Sequence, residues 1–212
     1  MAASGFLDRL VVGLDEGLRI AFDIPRSTPR PSPAEGREEP VLTPAEQRHS
    51  IGLVRVDHAG EVAAQGLYHG QLLLARDPGV RDRLERAADE ERDHLAWCRA
   101  RLDRLGGAPS RLDPFWYAGS FTIGALAALG GDRVSLGFVA ETERQVMRHL
   151  EGHLASLPAA DTPSRAVIEQ MHTEEAEHAH GALDAGGVRL PAPVRGLMRM
   201  VAKVMTTTAY RV

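Results

Sequence analysis

Five Glu-x-x-His pairs run through this chain, at Glu46/His49, Glu91/His94, Glu169/His172, Glu175/His178 and Glu177/His180. On a helix, residues three apart share a face, so each pair could grip one metal ion with a carboxylate and an imidazole. The pattern is cheap, since chance alone gives roughly 0.7 occurrences in a chain of this composition. Helix faces separate the five. Steps of three and four through the second helical region meet Val80, Leu84, Ala87, Glu91, His94 and Cys98. The same walk further on meets Ile168, Met171, Glu175, His178 and Ala182. These two pairs interrupt apolar seams and point inward. Glu177/His180 shares its face with Gln170, Thr173 and Asp184, and Glu169/His172 with Thr162 and Arg165. Both faces are wet. Glu46/His49 stands near a helix start, about 22 Å along the axis from Glu61.

A buried carboxylate and imidazole need partners, because an uncompensated charge in a core costs several kcal/mol. The seam of the first long helix reads Val54, Asp57, Glu61, Ala64, Tyr68, Leu72, so Glu61 faces in. In the third region Glu143 has Val146, Met147 and Leu150 on its face, while Glu141 has Arg144, Gln145 and Arg148. Glu143 is therefore the inward residue. The order is Glu61, Glu91/His94, Glu143, Glu175/His178, an internal two-fold repeat. Two matched antiparallel hairpins bring all six to one level, the arrangement of ferritin-like di-iron carboxylate bundles. Four carboxylates balance two Fe(II) ions, and oxygen-rich ligation with two imidazoles suits iron or manganese better than zinc.

Helix punctuation agrees. Thr43, Pro44 and Glu46 form a capping box that opens a helix running to about Ala75. Asp77-Pro78 opens a second, closed at Gly106-Gly107. A third region spans about 117–157, with a break at Gly130-Gly131 and a stop at Pro158. Thr162-Pro163 starts a fourth, ended by Gly186-Gly187, and Pro191 and Pro193 precede a last helix near 194–207. Residues 4–22 carry Phe6, Leu7, Leu10, Val11, Leu14 and Leu18 on one stripe. The expected fold is all-α: a ferritin-like four-helix bundle with an extra amphipathic helix at each end. Residues 1–42 form the first amphipathic helix and a proline-rich tether, expected to be extended over 24–42, and residues 43–212 form the bundle domain.

Composition narrows the class further. Net charge is −4, so no global basic field recruits nucleic acid. Cys98 is the only cysteine, which excludes a disulfide framework and fits a reducing compartment. Asp8, Arg9, Asp15, Glu16 and Arg19 interrupt any export-signal core. No Gly-x-Gly-x-x-Gly fingerprint opens a Rossmann unit, so no tightly held nicotinamide is expected.

From residue 43 onward the chain resembles the demethoxyubiquinone hydroxylases of ubiquinone biosynthesis. The resemblance rests on Arg55-Val56-Asp57-His58-Ala59-Gly60-Glu61, Glu91-Arg92-Asp93-His94-Leu95, Glu141-Thr142-Glu143, Glu174-Glu175-Ala176-Glu177-His178 and Lys203-Val204-Met205-Thr206. It implies a di-iron monooxygenase that uses O2 to hydroxylate a polyprenyl benzoquinol or quinone ring. Its metal ligands carry over as Glu61, Glu91, His94, Glu143, Glu175 and His178, and it implies NADH as a reductant that is not tightly bound. His149 agrees with the family spacing. The tyrosine that follows this histidine in eukaryotic relatives is Leu150 here.

A polyprenyl substrate lives in the bilayer, so the membrane surface is an expected partner, at the cytoplasmic face of the cell membrane. The apolar run 115–129 and the basic amphipathic last helix, with Arg195, Arg199 and Lys203, are the candidate contacts. Both could instead pack on the bundle or on another copy of the chain, as in a homo-oligomer. The competing functions are an iron-storage relative of ferritin and a di-iron peroxidase. Asp57, one turn before Glu61, is placed either to orient a ligand histidine or to make a plain buried hydrogen bond. Cys98 and Trp97 are read as core residues, and His58, His69, His153 and His172 as surface or packing residues.

Overall fold

The computed structural model describes residues 5–22, 24 and 30–212. Among them are seven helices: α1 (Phe6–Ala21), α2 (Pro44–Leu74), α3 (Pro78–Leu105), α4 (Asp113–Leu129), α5 (Asp132–Ser156), α6 (Thr162–Asp184) and α7 (Ala192–Ala209). The punctuation is where the sequence puts it. Thr43 accepts from the Glu46 amide while Glu46 reaches back to the Thr43 amide. Asp77 caps α3 and Gly106 ends it in the left-handed region, at φ 72°. The expected third helical region divides into α4 and α5, with Gly131 at φ 95° between them. Its first helix begins at Asp113, ahead of the expected start.

Helices α2, α3, α5 and α6 make the four-helix bundle, with α2 and α3 one short-looped hairpin and α5 and α6 the other. Asp132, at the head of α5, accepts from the amides of Arg76 and Asp77 at 3.1 and 2.8 Å, tying the second hairpin to the turn of the first. Helix α4 lies along the outer side of α2 at backbone contact distance. A Cβ on Gly66 or Gly70 would stand 2.4 Å from the Tyr117 carbonyl oxygen or 2.0 Å from that of Phe121.

The bundle interior holds two large apolar clusters, and a third, small one joins Val56 and Ala59 of α2 to Ala209 of α7. Tyr68, Leu72, Leu84, Ala88, Leu136 and Val139 belong to the first. Val54, Trp97, Cys98, Leu102, Leu150, Ile168 and Met171 belong to the second. Along every bundle helix the six polar candidates fall between the two large clusters. The gap is a buried polar layer between two apolar ones.

The segment expected as an extended tether is anchored over its described part. Ala34 and Leu42 pack on the second cluster. Arg30 ion-pairs Asp93 at 3.1 Å and Glu174, and its guanidinium lies 4.8 Å from the Trp97 ring centre. Residues 23 and 25–29 lie outside the described residues. Helix α1 packs on α2 and α4 through Gly13 and Glu16, leaving its apolar stripe outward, with Leu7 72% and Leu14 58% exposed. No helix among the described residues is long and apolar enough to cross a membrane.

Candidate metal centre

Four of the six sequence candidates, Glu61, Glu91, His94 and Glu175, are buried and offer ligand atoms that all lie within 4.8 Å of one another. The other two complete the ring. His178 Nδ1 lies 3.2 Å from Glu91 and 3.3 Å from Glu175. Glu143 accepts from the Tyr68 hydroxyl at 2.6 Å and is close enough to Glu175 and Glu91 for their charges to raise its pKa. Glu141 points elsewhere and accepts from Gln145 at 2.9 Å.

The contacts are ordered. His94 Nδ1 lies 3.1 Å from Glu91, 3.3 Å from Glu175 and 3.7 Å from Glu61. Glu91 and Glu175 thus each touch both histidines, whereas Glu61 touches only His94. The two glutamates of the Glu-x-x-His pairs occupy the middle, and the lone glutamates flank it. Both imidazoles present Nδ1 to this centre and turn Nε2 away. His94 Nε2 lies 2.7 Å from Glu174, and His178 Nε2 lies 2.6 Å from Glu90.

Electrostatics show what such a cluster demands. Burial and the neighbouring Glu91 push the Glu61 carboxyl well up, and burial with Glu175 and Glu91 does the same to Glu143. Burial opposes charge on Glu91 too, but hydrogen bonds from His178 and His94 outweigh it and hold its pKa low. His178 is pushed up to about 12, because Glu175 and Glu91 overcome a burial effect of opposite sign. Carboxylates on four sides raise His94 likewise against burial. The shifts of both imidazoles, Glu61 and Glu143 all run toward holding protons, the direction expected of a crowd of buried acids without cations among them. Oxygen-rich donors around a shared centre, with excess negative charge and deprotonatable imidazoles, fit a pair of iron ions.

The model of the family described as Ubiquinone biosynthesis protein COQ7 matches residues 48–209. The chain belongs to this family. Among its COQ7-family relatives is the 3-demethoxyubiquinol 3-hydroxylase of Nitrosococcus oceani, 55% identical over 204 residues, 96% of this chain and 95% of that one. The protein of the same description from Ralstonia pickettii is 51% identical over 217 residues, covering 97% and 100%. That from Paraburkholderia xenovorans is 54% identical over 209 residues, covering 97% and 99%. Among solved structures, a dodecameric thioferritin, a bacterioferritin-related protein of Bacteroides fragilis, superposes with a TM-score of 0.53. That match covers 74% of this chain and 90% of the other at 18% identity, and it establishes the ferritin-like fold alone.

The three outward pairs stay outside the centre. Glu46 serves the cap, His49 meets the Tyr210 hydroxyl at 2.8 Å, His172 meets Glu151 at 3.3 Å and His180 meets the Ala176 carbonyl at 2.6 Å. Of the two readings of Asp57, the structure shows the plain buried contact. Asp57 does not orient a ligand histidine but lies 2.7 Å from His153 Nδ1, with the His149 ring stacked edge-on 4.1 Å from His153. His153 is raised by Asp57 against burial, while burial and the adjacent His153 lower His149 to about 4. His58 pairs with Asp113 at 3.1 Å, and His69 Nδ1 meets the Tyr117 hydroxyl at 2.9 Å. Cys98 is buried and its thiol is pushed up by burial, as a core residue requires.

Sequence reasoning missed Glu90 and Glu174. The signal was available: each stands immediately before a Glu-x-x-His glutamate, which on a helix turns it about 100° from the seam and toward the neighbouring helix. It also missed Tyr68 as a partner of Glu143, reading it only as a seam residue.

Proposed function

We propose that this chain is a di-iron monooxygenase that hydroxylates the ring of a demethoxyubiquinol in ubiquinone biosynthesis. The observation that supports it is the buried ring of four glutamates and two histidines, in a chain more than half identical to relatives described as 3-demethoxyubiquinol 3-hydroxylases. Glu61 and His94 would hold one iron ion and Glu143 and His178 the other, with Glu91 and Glu175 placed to serve both. Bound there, the iron pair would supply the redox chemistry that activates O2 for insertion of one oxygen atom into the ring.

The chain's own residues do the rest. Glu174 and Glu90 each accept a hydrogen bond from the Nε2–H of a histidine across the bundle, which fixes the imidazole and leaves Nδ1 for the centre. The Tyr68 hydroxyl holds one oxygen of Glu143 and so orients the carboxylate. The apolar clusters above and below keep water from the site. NADH as reductant belongs to the same proposal.

A polyprenyl quinol must be taken from a bilayer, and the outward apolar rows suit that surface. Leu7, Val11, Leu14 and Leu18 of α1, Phe115, Leu126 and Leu129 of α4, and Leu197, Val201 and Val204 of α7 are all exposed. We place the enzyme peripherally on the cytoplasmic face of the cell membrane, with these rows as its contact.

Complementation tests the function. The wild-type gene is expected to restore ubiquinone to a strain lacking this hydroxylase, and Glu175→Ala to fail while remaining helical and iron-poor. Failure of the wild type removes the substrate assignment. Full rescue by Glu175→Ala removes the metal assignment.

A further inference from the structure

Five arginines meet in one cavity on the outside of the bundle. It has a volume of about 540 Å³ and is walled by Arg144 and Arg148 of α5, Arg189 of the loop before α7, and Arg195 and Arg199 of α7. Glu141 is the one acid on the wall, and it is engaged by Gln145 at 2.9 Å. None of the five guanidinium groups is ion-paired among the described residues. The Arg195 Nε is buried with no hydrogen-bond partner. In a chain of net charge −4, five like charges converge here against the overall sign.

Such a cluster repels itself, and an anion entering it would remove that repulsion and meet several planar donor forks at once. Guanidinium forks match the oxygens of a phosphate, and the match strengthens when the donors are preorganised around one cavity. The setting narrows the source of the phosphate. Arg195 and Arg199 lie one turn apart on α7, and its exposed row of Leu197, Val201 and Val204 occupies the opposite flank. An interfacial helix sinks its apolar face about 5–10 Å into the headgroup boundary. With that row in the acyl layer, the cavity behind α7 sits at the depth of lipid phosphates.

We propose that the arginine cavity binds the phosphate of an anionic phospholipid headgroup. This site rests on the membrane contact described above and adds to it a specific pocket with a preferred lipid charge. It lies apart from the metal centre, whose residues it does not share.

The test uses dihexanoyl-phosphatidylglycerol below its micellar concentration, titrated into the full-length, iron-loaded protein by calorimetry, so that no bilayer is present. Saturable binding of one lipid per chain is expected, with dihexanoyl-phosphatidylcholine at least tenfold weaker. Arg148→Gln/Arg189→Gln is expected to weaken phosphatidylglycerol binding at least tenfold. Lys203→Gln, which removes a charge from α7 outside the cavity, is expected to change it less than twofold. No saturable binding, or equal binding by the double variant, overturns the proposal. Tighter cavity-dependent binding of inorganic diphosphate with no lipid binding also overturns it, because the source would then be a soluble phosphate. Flotation with phosphatidylglycerol vesicles reads the membrane contact separately. A protein that floats yet binds no short-chain lipid loses this site and keeps that contact.

Discussion

His94 reaches across the bundle to Glu174, Nε2 to Oε2 at 2.7 Å, and His178 returns the contact to Glu90 at 2.6 Å. Each Glu-Glu-x-x-His segment thus supplies the acid that orients the other's histidine, and the two halves of the site lock each other's geometry. Glu174 is in turn gripped by Arg30 and by Gln170 at 2.7 Å. Burial raises its pKa, but hydrogen bonds from His94, Arg30 and Gln170 outweigh this and hold it near 2, so it stays ionised at neutral pH.

Glu174→Gln should therefore weaken iron binding about 10–100-fold, the usual range for losing a partner of a ligand histidine. Glu90→Gln should cost less, because its side chain is 47% exposed against 13% for Glu174, and water can replace it. Competition against a chelator of known iron affinity measures both. Unchanged affinity in Glu174→Gln would show that the histidine needs no such clamp.

Tyr68→Phe isolates a second support. Its hydroxyl is a buried donor to Glu143, and its removal leaves that carboxyl without the partner the structure gives it. Burial and the charge of Glu143 push the phenol pKa well up, so the proton stays on the tyrosine and the hydrogen bond is always donated. The variant should be less stable by about 1–3 kcal/mol in its metal-free form. Urea unfolding at matched pH reads this directly, and a change below a few tenths would mean that Glu143 finds another donor.

How far the sequence alone leads can be judged from these same residues. Caps, prolines and glycines act locally, so the bounds of α2, α3 and α6 are legible from a few neighbouring letters. Glu61, Glu91, His94, Glu143, Glu175 and His178 stand out because they break apolar seams, and a seam is a periodic property of one helix. Contacts that depend on two helices are another matter. The choice of His153 rather than a ligand histidine by Asp57 follows from the rotation of α5 against α2, which no single helix encodes. Arg30 likewise lies in a proline-rich stretch whose composition suggests a free tether, and only the acids on α3 and α6 show where it docks.

The contact between α2 and α4 makes a prediction of its own. Gly70 faces the Phe121 carbonyl so closely that an added Cβ would stand 2.0 Å away, and backbone cannot swing aside as a side chain can. A Cβ added to Gly124 would likewise stand 2.1 Å from the Leu67 carbonyl oxygen, from the other side. Alanine favours a helix by up to about 1 kcal/mol over glycine, yet overpacking costs about 1–3 kcal/mol or more. Gly70→Ala should lower the Tm by several degrees, at about 2–4 °C per kcal/mol for this size. Gly152→Ala in α5 has open space around it and should hold or raise the Tm. Equal behaviour of the two would deny the close approach.

Metal loading should release protons. His178 is raised to about 12 by Glu175 and Glu91, so its imidazole carries a proton at pH 7 in the metal-free protein; His94 is raised as well, and burial with neighbouring acids shifts Glu61 and Glu143 in the same proton-holding direction. A ligand must lose its proton before it coordinates. Raised histidine pKa values stabilise the metal-free fold at low pH and do so less as pH climbs through them, whereas metal competes better as protons become scarce. Both effects have the same sign for binding. Iron(II) added anaerobically in weak buffer should acidify the solution by about two to four protons per chain, and apparent affinity should rise between pH 6 and pH 8. Substituting Glu61→Gln should reduce the proton yield along with the affinity, because the amide has no carboxyl proton to give and offers a weaker ligand. Proton-neutral uptake, or affinity that falls with rising pH, would contradict a centre whose imidazoles, Glu61 and Glu143 are shifted toward holding protons until cations replace them.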